Sequence, residues 1–356
     1  MTHAFLPAWL YTSAEIAERE RHLYAGRLWH PLTASSALGE GQVQAFELLG
    51  LPVVLTRHQG LVRAFLNRCP HRGVALHQPA DEAVPCRRLV CPYHGWTYDL
   101  KGRLRAAARE SDFVEPFERR DWPLPTLLCQ EQGGLLWVAT GTDPLPLEHQ
   151  LDLVLQESPE LFNRPRTLLL RQRHSLACNW KIAHDNTLDD YHVAIAHPTT
   201  LHREQGPVRL YRHALSQHGS LLATPYGDAG EFYTYGLAPW THLLLWPDGR
   251  MALIQFLPLA LQRCSMEVWL LGDPGLASAA QSWMTQIQTF LQEDKRLVEA
   301  AQLGYASGLV PGPPHQLEQR ILQQQQLYAR LMGLQAESLE LSAPAPQREA
   351  IAPWPC

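Results

Sequence analysis

Two short segments place a thiol beside an imidazole: Cys69-Pro-His71 and Cys91-Pro-Tyr-His94. Two thiolates and two imidazoles suit either a tetrahedral zinc ion or a [2Fe–2S] cluster with mixed ligands. The order within each segment separates the two. Zinc fingers usually pair Cys with Cys and then His with His. Here each segment offers Cys and then His, so two thiolates can hold one iron and two imidazoles the other. The chemistry implied is one-electron transfer.

A second group of donors lies in the back half, within Asn179-Trp180-Lys181-Ile-Ala-His184-Asp185-Asn186-Thr-Leu-Asp189-Asp190-Tyr191-His192-Val-Ala-Ile-Ala-His197-Pro198. Two histidines five residues apart, preceded by acidic residues, suggest a metal. Two imidazoles and one carboxylate hold Fe(II) with coordination positions left open for O2 and substrate. On an ideal helix His192 and His197 lie about 140° apart. Both reach one ion only if the helix unwinds between them or ends near Pro198, whose predecessor disfavours helical geometry. Taken alone, such a pair is more often core or surface histidines than ligands. The same holds for Glu293, Asp294 and Glu299, which alone read as a solvated acidic helix face.

The elements that must hold these groups follow from pattern. Residues 13–26 read as an amphipathic helix capped by Ser13 and stopped by Gly26. From about Trp29 to Thr140 short β runs alternate with Gly, Pro and Asp turns, the signature of a small antiparallel domain. The cysteine–histidine pairs fall just after two of these runs, on hairpin tips. A Pro-containing segment from Asp143 to His149 marks a boundary. Beyond it come a strand up to Trp180, helical spacing from Trp180 to Ala196, and a hairpin over His242–Phe256. In that hairpin Asp248-Gly249 has the composition of a two-residue type I′ turn. A strand, a long helix from about Ala277 to Gly304, breaks at Pro311, Pro313 and Pro314, and a Gln-rich helix near Leu317–Met332 complete the chain. A sheet with long helices suits an α+β domain behind the first one.

Composition narrows the function classes. The 356 residues have room for two domains, and 46% hydrophobic with 18% charged residues is ordinary globular usage. A net charge of −5 gives no basic footprint, so nucleic acid is not an expected partner. No apolar run is long enough to span a bilayer, so no membrane is expected either. The opening residues lack a basic start, a long apolar stretch and a cleavage site. Seven scattered cysteines do not resemble a secreted disulfide framework. Cys86, Cys129, Cys178, Cys264 and Cys356 read as free thiols, and a cytoplasmic location is expected.

The phrases CPHRG and CPYHGWTYDLKGRL resemble the Rieske domain of ring-hydroxylating oxygenases, motif for motif. The NWK…DN…D-x-Y-H-x4-H-P segment resembles the same family's catalytic domain, and Glu293-Asp294…Glu299…Gln302-x-Gly304 resembles its late acidic helix. The likeness runs over nearly the whole chain, to α subunits of Rieske non-heme iron oxygenases. It implies an α+β fold: a small antiparallel-β Rieske [2Fe-2S] domain plus a helix-grip-like catalytic domain, an antiparallel sheet covered by long helices. The expected divisions are residues 1–28, an N-terminal helical segment on the catalytic domain; 29–140, the Rieske domain; 141–340, the catalytic non-heme Fe(II) domain; and 341–356, a mobile tail.

The resemblance also implies roles. Cys69, His71, Cys91 and His94 would hold the cluster. His192, His197 and Asp294 would hold a mononuclear Fe(II), with Glu293 and Glu299 the competing carboxylates and His202 the rival of His197. Asp189 takes the position of the bridging carboxylate, able to hydrogen-bond the second nitrogen of His192. Asn186 keeps the family's amide near the iron, Asp185 stands where Glu is usual, and His184 is expected only to pack.

The implied function is that of a terminal oxygenase, hydroxylating, dihydroxylating or oxidatively demethylating a small organic, aromatic substrate with O2. Alternatives are a monooxygenase of quaternary ammonium compounds, and a Rieske electron-transfer protein without oxygenase activity. No G-x-G-x-x-G follows a strand, so a separate NAD(P)H-dependent reductase is expected, with or without a ferredoxin. The family assembles as head-to-tail homotrimers, with or without β subunits. Tyr233, Tyr235, Trp240 and Trp246 are candidates for the substrate pocket.

Overall fold

The structure is a computed structural model that describes residues 4–309 and 311–334. The tail 341–356 and Cys356 lie outside the described residues.

After a short helix, Trp9–Thr12, Ser13 caps the next one as expected, its hydroxyl accepting from the Ile16 amide. Helix Ala14–Arg19 then widens into a π-helical turn, Glu20–Tyr24, and a 3-10 turn ends it at Arg27. The wide turn points Glu20 inward, where it accepts from the Trp180 indole and the Tyr328 hydroxyl and pairs with Lys181. This ties the N-terminal segment to the back half of the chain.

Ten strands follow: β1 Trp29–Ala34, β2 Gln42–Leu48, β3 Leu51–His58, β4 Leu61–Leu66, β5 Val84–Pro85, β6 Leu89–Val90, β7 Thr97–Tyr98, β8 Leu104–Ala106, β9 Thr126–Gln132 and β10 Leu135–Ala139. Seven form one antiparallel sheet in the order β1-β10-β9-β4-β3-β2-β5, and β6-β7-β8 make a small separate sheet. The cysteine–histidine segments leave the ends of β4 and β6, so both sheets support the tips.

The second large sheet comprises β11 Thr167–Leu176, β12 Arg212–Leu215, β13 Gly219–Pro225, β14 Glu231–Leu237, β15 Thr241–Leu245, β16 Met251–Ala260 and β17 Arg263–Gly272. All neighbours pair antiparallel, in the order β11-β17-β16-β15-β14-β13-β12. Both faces are covered. Leu244, Ile254, Phe256, Met266 and Val268 pack under helices Trp180–Thr187, Ala280–Ala306 and Gln319–Met332. Leu243, Leu245, Leu253, Trp269 and Leu271 pack on the other side with Trp29 and Trp137 of the first sheet and with Leu151 and Phe162. The second core therefore runs across the expected boundary near residue 140. Burial on both faces explains the unbroken apolar run of β15, where a one-sided sheet would alternate.

Two local expectations change. The hairpin between β15 and β16 exists, but its turn is not type I′. The Gly249 amide donates to the Trp246 carbonyl, and within the turn only Gly249 has positive φ, +97°. Pro247, with φ fixed near −65°, takes the first central position of a Trp246–Gly249 turn, as type I turns favour, and this moves the turn one residue back and leaves left-handed Gly249 at its end. The helical spacing from Trp180 to Ala196 is also not one helix. Helix Trp180–Thr187 stops, a loop follows, and a short helix Val193–Ala196 leads to His197.

Candidate metal centres

The two cysteine–histidine tips are built alike. In each, the cysteine amide donates to the carbonyl five residues on (Val74, Trp96), and the glycine amide four residues on donates back to the cysteine carbonyl. Closing that loop needs positive φ at Gly73 (+76°) and Gly95 (+70°), a conformation glycine adopts without a Cβ clash. Cys69 and Cys91 are buried with Trp96 and Tyr98 in the core of this region. The His71 and His94 rings lie 4.5 Å apart, edge to face, and His71 stacks on Trp96. The Nδ1 atoms of both rings are buried and have no hydrogen-bond partner.

Orphaned imidazole nitrogens beside two buried thiols fit a metal group. Among the described residues, the set of three or more ligand atoms that converges within 4.8 Å is His192, His197 and Asp294. The four tip residues do not converge in that way. A single zinc ion draws all four donors to one centre, whereas two irons hold them as separate pairs. The tips therefore fit a [2Fe–2S] cluster better than zinc.

The second centre forms where the chain between two helices turns back on itself. His192 begins and His197 ends the short helix Val193–Ala196, and His197 leaves helical geometry (φ −124°, ψ 46°) just before Pro198. This break swings both rings to one side. His192 Nε2 lies 3.2 Å from His197 Nε2, and Asp294 Oδ1, from the long helix, lies 2.9 Å from His197 Nε2 and 3.3 Å from His192 Nε2. Each imidazole has a carboxylate behind it. Glu293 Oε2 sits 2.6 Å from His197 Nδ1 and also accepts from the Thr200 hydroxyl. Asp189 Oδ2 is 3.3 Å from His192 Nδ1, close but off the line of a hydrogen bond. With the Nδ1 atoms facing carboxylates, the two Nε2 lone pairs and the Asp294 oxygen face one another, an arrangement that needs a positive charge among them. Burial alone would lower His192, yet Asp189 and Asp294 raise it to about 10. Burial would likewise raise Asp294, yet His192 and His197 hold it at about 2. The donor set fits a metal ion of the two-histidine, one-carboxylate kind.

The competing residues fall elsewhere. Glu293 is behind His197, not facing the shared point, and Glu299 accepts from the Ala177 amide at the end of β11. His202 is not part of the converging set. His184 is fully buried near Phe256, and burial lowers it to about 3. Asp190 turns inward, away from Asp189. It accepts from Arg320 (3.0 Å) and lies 2.9 Å from His213 Nε2, pinning the loop to helix Gln319–Met332. Nothing in the residue spacing singled out Arg320 or His213, because these contacts join segments far apart in the chain.

Beside Asp294 lies a narrow apolar pocket with about 10 Å³ of free volume, walled by Leu176, Ala183, Phe256, Met266, Leu291 and Val298 and bordered by Asn186, Thr187 and Lys295. Tyr233, Tyr235, Trp240 and Trp246 do not line it. Tyr235, Trp240 and Trp246 are core residues, and Tyr233 packs on the core. Tyr233 and Tyr235 lie on β14, Trp240 and Trp246 just before and just after β15, and packing buries all but Tyr233, while Trp240 also lines a separate cleft of about 900 Å³ with Trp180, Arg171 and Glu267.

Asp185 belongs to a network behind the pocket, accepting from the Tyr11 hydroxyl (2.7 Å) and the Gln325 amide (2.9 Å). Burial pushes its carboxyl from 3.8 up to about 7. A folded-state pKa above the unfolded one means a contribution to stability that is present below about pH 4 and lost as pH rises through about 7. Asp185→Asn removes this slope. The stability of the variant relative to wild type should rise by about 2–4 kcal/mol between pH 4 and pH 8, read from denaturant midpoints at both pH values. A constant difference between the two proteins contradicts the assignment.

The family model for the Rieske [2Fe-2S] domain matches residues 28–118, and that for the ring hydroxylating alpha subunit (catalytic domain) matches residues 165–334. The carnitine monooxygenase oxygenase subunit of Escherichia coli (strain K12) is 29% identical over 326 residues, covering 85% of this chain and 84% of that protein. The subunit of the same name from Acinetobacter baumannii is 31% identical over 196 residues, covering 54% of this chain but only 52% of its own length. Among solved structures, a quaternary ammonium Rieske monooxygenase in complex with L-carnitine superposes with a TM-score of 0.79 at 24% identity, covering 92% of this chain and 96% of that one. Among the described residues, no helix is long and apolar enough to cross a membrane.

Proposed function

Since the chain belongs to the Rieske oxygenase α subunits, we propose that it works as the terminal oxygenase of a multicomponent system. It receives electrons from an NAD(P)H-dependent reductase, directly or through a ferredoxin. With O2 it hydroxylates, dihydroxylates or oxidatively demethylates a small organic substrate. The observation that carries this reading is the convergence of His192, His197 and Asp294 beside a narrow apolar pocket. A pure electron-transfer protein has no use for such a triad.

When bound, the cluster supplies single electrons and the Fe(II) supplies the redox centre at which O2 is reduced. The chain's own residues do the rest. Cys69 and Cys91 would hold one iron of the cluster, and His71 and His94 the other. His192, His197 and Asp294 would hold the mononuclear ion. Glu293 fixes the His197 ring from behind. Asn186 makes no side-chain hydrogen bond among the described residues and borders the pocket beside Asp294. The apolar walls exclude water from the reacting substrate.

Electrons pass from His94 of one subunit to Asp189 of a neighbour and on to His192, within a head-to-tail homotrimer. Exposed apolar groups flank both ends of that route: Tyr93, stacked on His94, and Tyr191 and Ile195 beside Asp189. Such patches suit an interface between copies.

The first reading, an aromatic or otherwise apolar substrate, is supported by the apolar lining beside Asp294. The second reading, a quaternary ammonium substrate, is supported by relatives named for carnitine. The deciding experiment loads both metals, reduces the enzyme with a surrogate reductase and measures substrate-stimulated O2 uptake and product over aromatic and quaternary ammonium compounds. A reduced-cluster EPR signal with about three irons per chain and substrate-dependent uptake is expected. Full metal loading without uptake on any compound overturns the oxygenase reading.

A further inference from the structure

Two carboxylates stand next to each other at Asp189 and Asp190, and one of them faces His192: Asp189 Oδ2 lies 3.3 Å from His192 Nδ1. Asp190 is turned the other way and is 3% exposed. Both of its oxygens are engaged there. Oδ1 accepts from Arg320 Nη1 at 3.0 Å, and Oδ2 lies 2.9 Å from His213 Nε2. Its amide donates to the Leu317 carbonyl at 3.3 Å. Burying a carboxylate this deeply is costly without a cation beside it, and Arg320 supplies one.

Arg320 is held as firmly as the carboxylate it binds. It is 1% exposed. Its Nη2 donates to the Thr234 carbonyl of β14 at 3.1 Å, and its Nε to the Ser220 hydroxyl of β13 at 3.4 Å. A guanidinium is planar and presents its donors in fixed directions. With two groups spent on the sheet, the third points to one place, and Asp190 fills it. Residues 188–192 lie outside any helix or strand, so no regular ladder of backbone bonds sets which of the two carboxylates turns inward.

We propose that Arg320 is a positioning residue for the mononuclear centre: by drawing Asp190 inward it fixes the rotation of this loop, and that rotation sets Asp189 against His192. Arg320 acts through the loop and not on the metal ligands themselves. Without the guanidinium, Asp189 and His192 spread over several orientations, and the converging donors are no longer preorganised for an ion. The inference deepens the oxygenase reading and rests on it for turnover, while iron affinity reads the positioning by itself.

The test starts from cluster-loaded protein and measures Fe(II) affinity by chelator competition, then substrate-stimulated O2 uptake at saturating Fe(II). Arg320→Met alone leaves Asp190 buried without its cation, so the variant used is the double one, Asp190→Asn/Arg320→Met. Removing both charges of a buried pair spares the fold far better than removing one. The double variant should keep the wild-type cluster spectrum and denaturant midpoint. It should bind Fe(II) about tenfold more weakly and turn over about tenfold more slowly, the low end of what groups behind a metal ligand contribute. Added to Asp189→Asn, the same double change should cost no further turnover at saturating Fe(II), because the carboxylate it positions is already disabled. Wild-type iron affinity or wild-type turnover in the double variant overturns the proposal. So does an added loss of turnover in the Asp189→Asn background. Loss of the cluster and of the fold in the double variant makes Arg320 a plain structural residue and overturns it too. If the wild-type enzyme takes up no O2 with any compound, the oxygenase reading fails, and iron affinity alone still decides on Arg320.

Discussion

Asp294→Ala loses the mononuclear iron and keeps the cluster's visible colour. Iron content should fall from about three to about two per chain, with the visible absorption of the tips unchanged. Substrate-stimulated O2 uptake should vanish with the iron. The reason is geometric. Among the described residues, Asp294 Oδ1 is the only carboxylate oxygen that faces both His192 Nε2 and His197 Nε2. Its nearest competitor, Glu293, is one residue away but on the next helical position, with its oxygen against His197 Nδ1. It cannot take over the vacated position without releasing the ring it orients. The effect of Glu293→Gln should therefore differ in kind: iron retained at saturation, with affinity weakened about 10–100-fold. If Asp294→Ala holds three irons, the ligand is Glu293 or Glu299, and the carboxylate assignment falls.

The second large effect separates metal binding from electron delivery. Asp189→Asn should leave cluster and mononuclear iron in place and cut turnover about 100-fold. Asp189 Oδ1 accepts from the Tyr191 amide (2.8 Å) and the His192 amide (3.3 Å), which shapes the loop. An asparagine oxygen accepts the same two bonds, so the loop and His192 keep their positions. What the variant lacks is the negative oxygen 3.3 Å from His192 Nδ1. Metal analysis, cluster reduction by the reductase and product yield are measured together. Reduction at the wild-type rate with product lost is the expected pattern. Wild-type product yield removes Asp189 from the electron route.

These two residues also show how far a sequence can be read. The cysteine–histidine tips are local. Each ligand pair lies within four residues, and the glycine that closes each loop follows at once, so spacing alone carries the chemistry. Asp189 and His192 are nearly as local. Asp294, by contrast, is about a hundred positions away, and among the acidic residues of its helix only a likeness of motif distinguished it. The aromatic candidates for the pocket went astray for a related reason. Tyr235 and Trp246 have the composition of a binding site, but whether a strand residue meets a core or a cavity depends on what covers each face of the sheet. Here both faces are covered. The turn at Gly249 was misread locally, because the preference of Asp-Gly for type I′ was weighed without the constraint of Pro247.

The sequence by itself determined the family, the cluster and the pair of histidines, because short-range spacing sets which donors one loop can present. Only the tertiary structure decided which carboxylate faces both imidazoles and which stands behind a ring. It also decided that Asp190 is spent on Arg320 while its neighbour Asp189 faces His192. Those choices follow from where the long helix lies across the broken helix at His192 and His197. That packing is fixed by the buried faces of the sheet beneath, a sum over many distant contacts that no single motif encodes.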